Sequence, residues 1–357
     1  MDPSILLADD SAFENPMEIP EAPGSHYPVY RAAVGKRRFN LHSYLCRFEE
    51  SFWACWSSGW EDEEGPGQCV VYSRSKDCRS WSPPDTLAEP HSNKDGSPGV
   101  CISRGIFVLD GRLTALVAML DRLIPGRGWE GLRLHRYVWD GSAWESTGVL
   151  IDNAINNYPP RRVQNRLFMT VRVSMRDRFF TAISEDQGGD HWKLTELDGG
   201  GRISEPSWYV DPDGIVHMIC RDMQRSRCLL RSLSDDGGLS WSVPVVTNYP
   251  DTTSKNFAFR LSGGAYCLIN NPNRDARDPL AISFGRDGWS FGRPLALRKN
   301  APQRRFEGRA KPLRSFQYPH AMEHNGSLWV ICSVNKEDIE VSEYKIDRLV
   351  PDMDESK

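Results

Sequence analysis

Six short stretches of the chain each open an apolar run with polar or titratable side chains. They carry Asn40 and His42; Ser103 and Arg104; Tyr158, Arg161 and Arg162; Ser204 and Glu205; Thr253, Ser254 and Lys255; and Gln317, Tyr318 and His320. Brought to one place, these residues would combine guanidinium and ammonium donors with a carboxylate, phenols and imidazoles. A guanidinium can grip a carboxylate through two parallel hydrogen bonds, which fixes orientation as well as charge. Carboxylate, phenol and imidazole are the groups that move protons. The set suits an anionic, hydroxyl-rich ligand. His320 follows Tyr318 by two positions, a spacing that puts both on one face of a strand. Arg161 and Arg162 are neighbours, so only one of them can share that face.

Residues this far apart meet only if the chain is built from repeats, and repeats are present. "SLSDDGGLSW" (232–241) is nearly repeated as "SEDQGGDHW" (184–192), "SKDCRSW" (75–81) and "SFGRDGWSF" (283–291), with "WDGSAW" (139–144) as a worn copy. The closing aromatics Trp144, Trp192, Trp241 and Phe291 follow one another at about 50 residues, with Trp81 a longer step ahead. Each repeat also holds an apolar strand led by Gly or Asn, such as "GRLTALVAML", "GIVHMICRD" or "GSLWVICSV". Two-residue alternation is common, and no stretch sustains a helical period. A period of this length with several short strands per unit predicts an all-β fold, a six-bladed β-propeller, with seven blades as the alternative. In the repeated motif the Asp accepts backbone N–H groups of its own turn, Gly allows a left-handed backbone, and Trp folds back on the strands. That makes Asp186 and Asp236 staples of hairpins rather than catalytic groups.

One propeller domain is expected to span 1–357, with 1–25 as a loosely packed arm and "HYPVYRAAV" adding a strand to the last blade. Closing the ring in this way removes the open sheet edge. The inner strands of a propeller line a central channel, so the six polar starts converge at one mouth of it.

Composition narrows the partners. A net charge of −4 offers no nucleic-acid surface. No apolar run approaches 18 residues, so no membrane span is expected. The start "MDPSILLADDSAF" does not read as a signal peptide. Nine cysteines, an odd number without a CxxC pair, sit mostly in apolar runs and point to a reducing, cytoplasmic setting; a removed signal would instead allow secretion or a periplasmic place. No metal-ligand spacing, phosphate loop or dinucleotide fingerprint is readable, so no metal or other cofactor is expected.

Taken together, the motif repeats, "SEP…MICR…SDDGGLSW" and "NP…R…F.YPH" resemble the sialidase superfamily of six-bladed Asp-box (BNR-repeat) propellers, as a divergent member. The resemblance implies an exo-acting glycoside hydrolase whose substrate is an acidic oligosaccharide or glycoconjugate. By that resemblance Tyr318 is the nucleophile and Glu205 the base that polarises it. Arg221 and Arg277, with Arg274 as a rival, would hold the ligand carboxylate. A neutral phenol suits an anomeric carbon that carries a carboxylate, since a carboxylate nucleophile would be repelled there. The acid/base is expected on the loop "SSGWEDEEGPGQ", nominally Asp62, with Glu61, Glu63 and Glu64 as alternatives.

Three departures stand out. The first inner strand offers His42 where the family has an Arg, and Arg31 lies too far ahead to fill that slot comfortably. Arg161 and Arg162 are additions. His320 follows the Tyr where an acid often stands. These changes raise two alternatives: a polysaccharide lyase of the rhamnose–glucuronate type, with His42 or Tyr318 moving the proton, and a glycan-binding propeller without catalysis.

Overall fold

The computed structural model describes residues 1–9, 15–174, 178–198, 201–308 and 310–350. Six antiparallel sheets, five of four strands and one of five, surround an axis, and a separate two-stranded ribbon is attached to the second. Their innermost strands are Phe39–Phe48, Val100–Leu109, the pair Ile155–Asn156 and Arg161–Val163, Ile203–Val210, Phe257–Arg260 and Phe316–His324. The predicted six-bladed propeller is therefore the fold. Each inner strand begins at one mouth of the channel, where the second strand of the same blade also ends. Inner-strand starts and second-to-third-strand connections thus build one face, and the Asp motifs lie at the opposite end of the blades.

The last blade closes the ring with both ends of the chain. Gly24–Tyr30 pairs antiparallel with Asp338–Lys345, placing Gly24 opposite Tyr344. Within 1–25, predicted from its Pro-rich, acidic composition to be a loose arm, two described leucines are packed instead. Leu6 and Leu7 are 0% and 1% exposed and pack among Tyr209, Tyr249, Tyr266 and Phe291 of blades four and five. Asn248 accepts from the backbone N–H groups of both leucines and donates to the Leu7 carbonyl. Apolar burial with its backbone groups satisfied makes the segment a wedge between two blades.

The Asp motifs behave as turn staples. Asp236 accepts from the backbone of Leu239 and Ser240 at 2.9 and 3.0 Å and from the Ser234 hydroxyl at 2.8 Å. Asp186 does the same for Asp190 and His191. Gly238 has φ +94°, and a Cβ there would sit 2.5 Å from the Phe168 ring of the neighbouring blade. Asp236→Ala should therefore cost about 1–2 kcal/mol in urea unfolding, through lost turn hydrogen bonds, with no change in activity per folded molecule.

Candidate active site

Inner strands do more than converge at the mouth. Three of them place a β-bulge there, with a side chain held at positive φ. The ladder register shifts between Leu41 and Tyr44, between Ser204 and Ser207, and between Gln317 and His320. The residues inside these bulges are His42 (φ 55°), Glu205 (φ 46°) and Tyr318 (φ 59°). A non-glycine residue in that region is strained by about 1–3 kcal/mol, a cost that persists only where surrounding structure enforces it. Each bulge turns its residue toward the axis.

Glu205 and Tyr318 meet in a cleft of about 760 Å³ whose lining also includes Arg221, Ser204, Arg172 and Glu63. Glu205 is 4% and Tyr318 7% exposed, so they form its floor. The Arg221 guanidinium donates to the Glu205 carboxylate at 2.8 Å. The Tyr318 hydroxyl shares this floor, within electrostatic reach of the same carboxylate. Burial pushes Glu205 toward neutrality, but Arg221, then Lys255, Arg172 and the Tyr318 hydroxyl, override it and bring its pKa down to about 2. Burial and the negative charge of Glu205 push Tyr318 well up, so its phenol is neutral. Arg277 sits over the Tyr318 ring at 5.9 Å and hydrogen-bonds Gln317. The structure thus brings Glu205, Arg221, Arg277 and Tyr318 together. Arg274 is exposed and faces Cys228 instead.

His42 is 3% exposed, meets Tyr318 edge-on with ring centres 5.2 Å apart, and accepts or donates at Nδ1 to Ser57. Burial, with Arg104, Lys255 and Lys336 nearby, keeps its imidazole neutral. Its Nε2 lies 3.8 Å from Glu63.

Three expectations need correction. Asp62 accepts from the backbone of Glu63 and of Ala310, both at 3.0 Å, which ties its loop down outside the cleft. Its neighbours Glu63 and Glu64 line the cleft instead, and Glu63 pairs with Lys336. His320 does not share a face with Tyr318, because the bulge between Gln317 and His320 breaks the two-residue alternation. It is packed inside the channel against Tyr44 and Phe257, at 5.4 and 4.7 Å, and its Nδ1 accepts from Leu45. Arg161 stacks on Trp208 at 4.2 Å and donates to the Trp208 carbonyl, so it braces neighbouring blades below the mouth; Arg162 is exposed, 3.6 Å from Asp110. Arg31 pairs with Asp338 and Glu340 on the outer strand of the last blade and does not replace the first arginine.

Two cations escaped the reading of site residues. Arg172 ends the second strand of blade three (Arg166–Arg172), as Arg221 nearly ends that of blade four (Val216–Asp222). They stand one repeat apart, as Trp192 and Trp241 do, so extending the repeat to arginines would have found it. Lys255, named among the strand starts, is buried: its Nζ donates to Tyr44 and the Asn157 carbonyl at 2.9 and 2.7 Å and lies 3.9 Å over the Tyr158 ring. Among the described residues no group of His, Cys, Asp and Glu is arranged to hold a metal ion.

The BNR repeat-like domain matches residues 51–330. No curated protein sequence matches the chain. A solved sialidase superposes with a TM-score of 0.67 at 20% identity, over 91% of this chain and 33% of that one. The chain therefore spans a third of that protein. A protein of unknown function from Dyadobacter fermentans gives 0.72 at 16% identity, over 91% and 99% of the two chains. A Trypanosoma rangeli sialidase, solved with sialic acid, gives 0.63 at 15% identity, over 93% and 58%. At such identities the likeness shows the propeller fold.

Proposed function

The chain belongs to the BNR repeat-like domain family, and on that premise we propose that it is an exo-acting glycosidase for a terminal acidic sugar, of the sialidase type. One observation carries the reading: Tyr318 and the buried Glu205–Arg221 ion pair line one cleft at the channel mouth. The solved relatives include sialidases, one of them bound to sialic acid.

In this reading Arg221 and Arg277, with Arg172 beside them, receive the sugar carboxylate. Tyr318 attacks the anomeric carbon as its proton passes to Glu205, so no free phenolate has to form beforehand. A ligand anion on Arg221 also weakens that arginine's hold on Glu205. The carboxylate then becomes more basic at the moment the proton moves. Glu63 is the acid/base that protonates the departing oxygen and later activates water.

Glu63→Gln should lower kcat/KM for alkyl glycosides about a hundredfold while barely changing kcat/KM for nitrophenyl glycosides, whose leaving group needs no proton. Steady-state rates on the two classes check this. The function itself is tested by mass spectrometry of sialosides and glucuronate-terminated oligosaccharides after incubation. A product that has gained water supports the glycosidase. A product lacking that water, with new ultraviolet absorbance, supports elimination, the second reading, which the neutral His42 beside Tyr318 favours. Saturable binding with no product would leave a glycan-binding propeller.

A further inference from the structure

The connection between the second and third strands of blade two differs from its counterparts. Among the described residues it alone folds into a paired ribbon, Arg122–Ile124 against Gly128–Glu130. The ribbon is anchored at its base. Asp121 donates its N–H to the Glu130 carbonyl at 2.8 Å, and Asn93 donates to the Asp121 carbonyl at 3.0 Å. Trp129 is 3% exposed within the core shared by blades two and three, and the Arg172 guanidinium lies over its ring at 4.3 Å. Beyond this anchor Leu123, Ile124 and Pro125 reach the cleft. Across from them stands Met223, 46% exposed, just after the second strand of blade four. The floor of the cleft is charged, and the rim sets these apolar side chains beside Arg127 at the ribbon's tip and Glu64 of the blade-one loop.

We propose that the apolar part of this rim is a leaving-group subsite, and that the preferred substrate joins its acidic sugar to a partner presenting an apolar face. The proposal rests on the glycosidase reading. The charged floor accounts for the acidic sugar. The oxygen protonated by Glu63 must lie beside the loop of blade one, and the ribbon of blade two is the next element around the ring. The group carried by that oxygen therefore extends over Leu123 and Ile124. Two kinds of partner offer an apolar face, an aryl or alkyl aglycone and the C–H side of a neutral pyranose.

The test compares methyl, benzyl and galactosyl sialosides. The methyl and benzyl alcohols leave with similar intrinsic ease, so a difference between them reads contact rather than chemistry. In the unaltered protein kcat/KM should favour benzyl over methyl by about tenfold or more. The Leu123→Ser/Ile124→Ser double variant should erase most of that ratio and leave the methyl sialoside within about twofold. Met223→Ser, at an exposed position, should reduce the ratio in the same direction and decides the matter if the double variant does not fold. Loss on benzyl alone assigns an aryl or alkyl aglycone; loss on the galactosyl substrate as well assigns a sugar face. An unchanged ratio in both variants overturns the subsite and leaves the glycosidase standing. No cleavage of any of the three removes the glycosidase reading for sialosides, and the subsite with it.

Discussion

Tyr318→Phe should lower kcat by about a thousandfold or more, roughly 4 kcal/mol of lost transition-state stabilisation, while the protein stays folded and still binds its ligand. The ring fills a space between His42 and Arg277 that phenylalanine also fills. Glu205 keeps its ion pair with Arg221 when the hydroxyl goes. On the proposed reading, only the group that reacts is removed. The effect should therefore fall on kcat, with KM nearly unchanged, a split that distinguishes a nucleophile from a packing residue. Steady-state kinetics with an isothermal binding measurement on the variant check it. A variant with near-normal turnover would mean that Tyr318 merely lines the cleft. Because the phenol is strongly raised by burial, the alkaline limb of the wild-type profile should not show an ordinary tyrosine ionisation.

Arg221→Met has the second large effect, and it acts on stability and function together. Removing one partner of a buried pair strands the other charge, at a cost of about 3–5 kcal/mol. The pH dependence has a definite sign. Against the native environment's pull toward neutrality by burial, Arg221 brings Glu205 down to about 2 from an ordinary value of 4.5. A depressed carboxylate contributes stability that is fully present above the unfolded value and is lost as pH falls through the folded value. The stability gap between wild type and variant should thus be widest above about pH 4.5 and should close as pH falls toward 2. Urea unfolding at a series of pH values measures it; a gap independent of pH would mean that the pair is not the source. Affinity for an acidic sugar should fall by about a hundredfold, since the main carboxylate contact is gone. Lys255 remains near Glu205 in the variant, so the residual carboxylate is not wholly uncompensated.

Much of the molecule was legible in its residues because propeller repeats are local. Each Asp motif satisfies its own turn and each apolar strand lies within its own blade, so period and strand pattern pointed to six blades over seven, to the place of the closing strand and to the end of the channel where polar residues gather. Glu205, Arg221, Arg277 and Tyr318 could be picked out because family motifs surround them. What the linear pattern could not convey depended on single-residue irregularities and on contacts between blades. The bulge at Tyr318 rotated His320 out of the cleft, since one extra residue reverses every later side chain on that strand. Backbone capture by Ala310 turned Asp62 away and left Glu63 facing the site. The arm became a wedge because its two leucines found apolar space between blades that are far from it in sequence. Strand periodicity carries the ring; where each charge points is decided by register shifts and packing partners that exist only once the ring has closed.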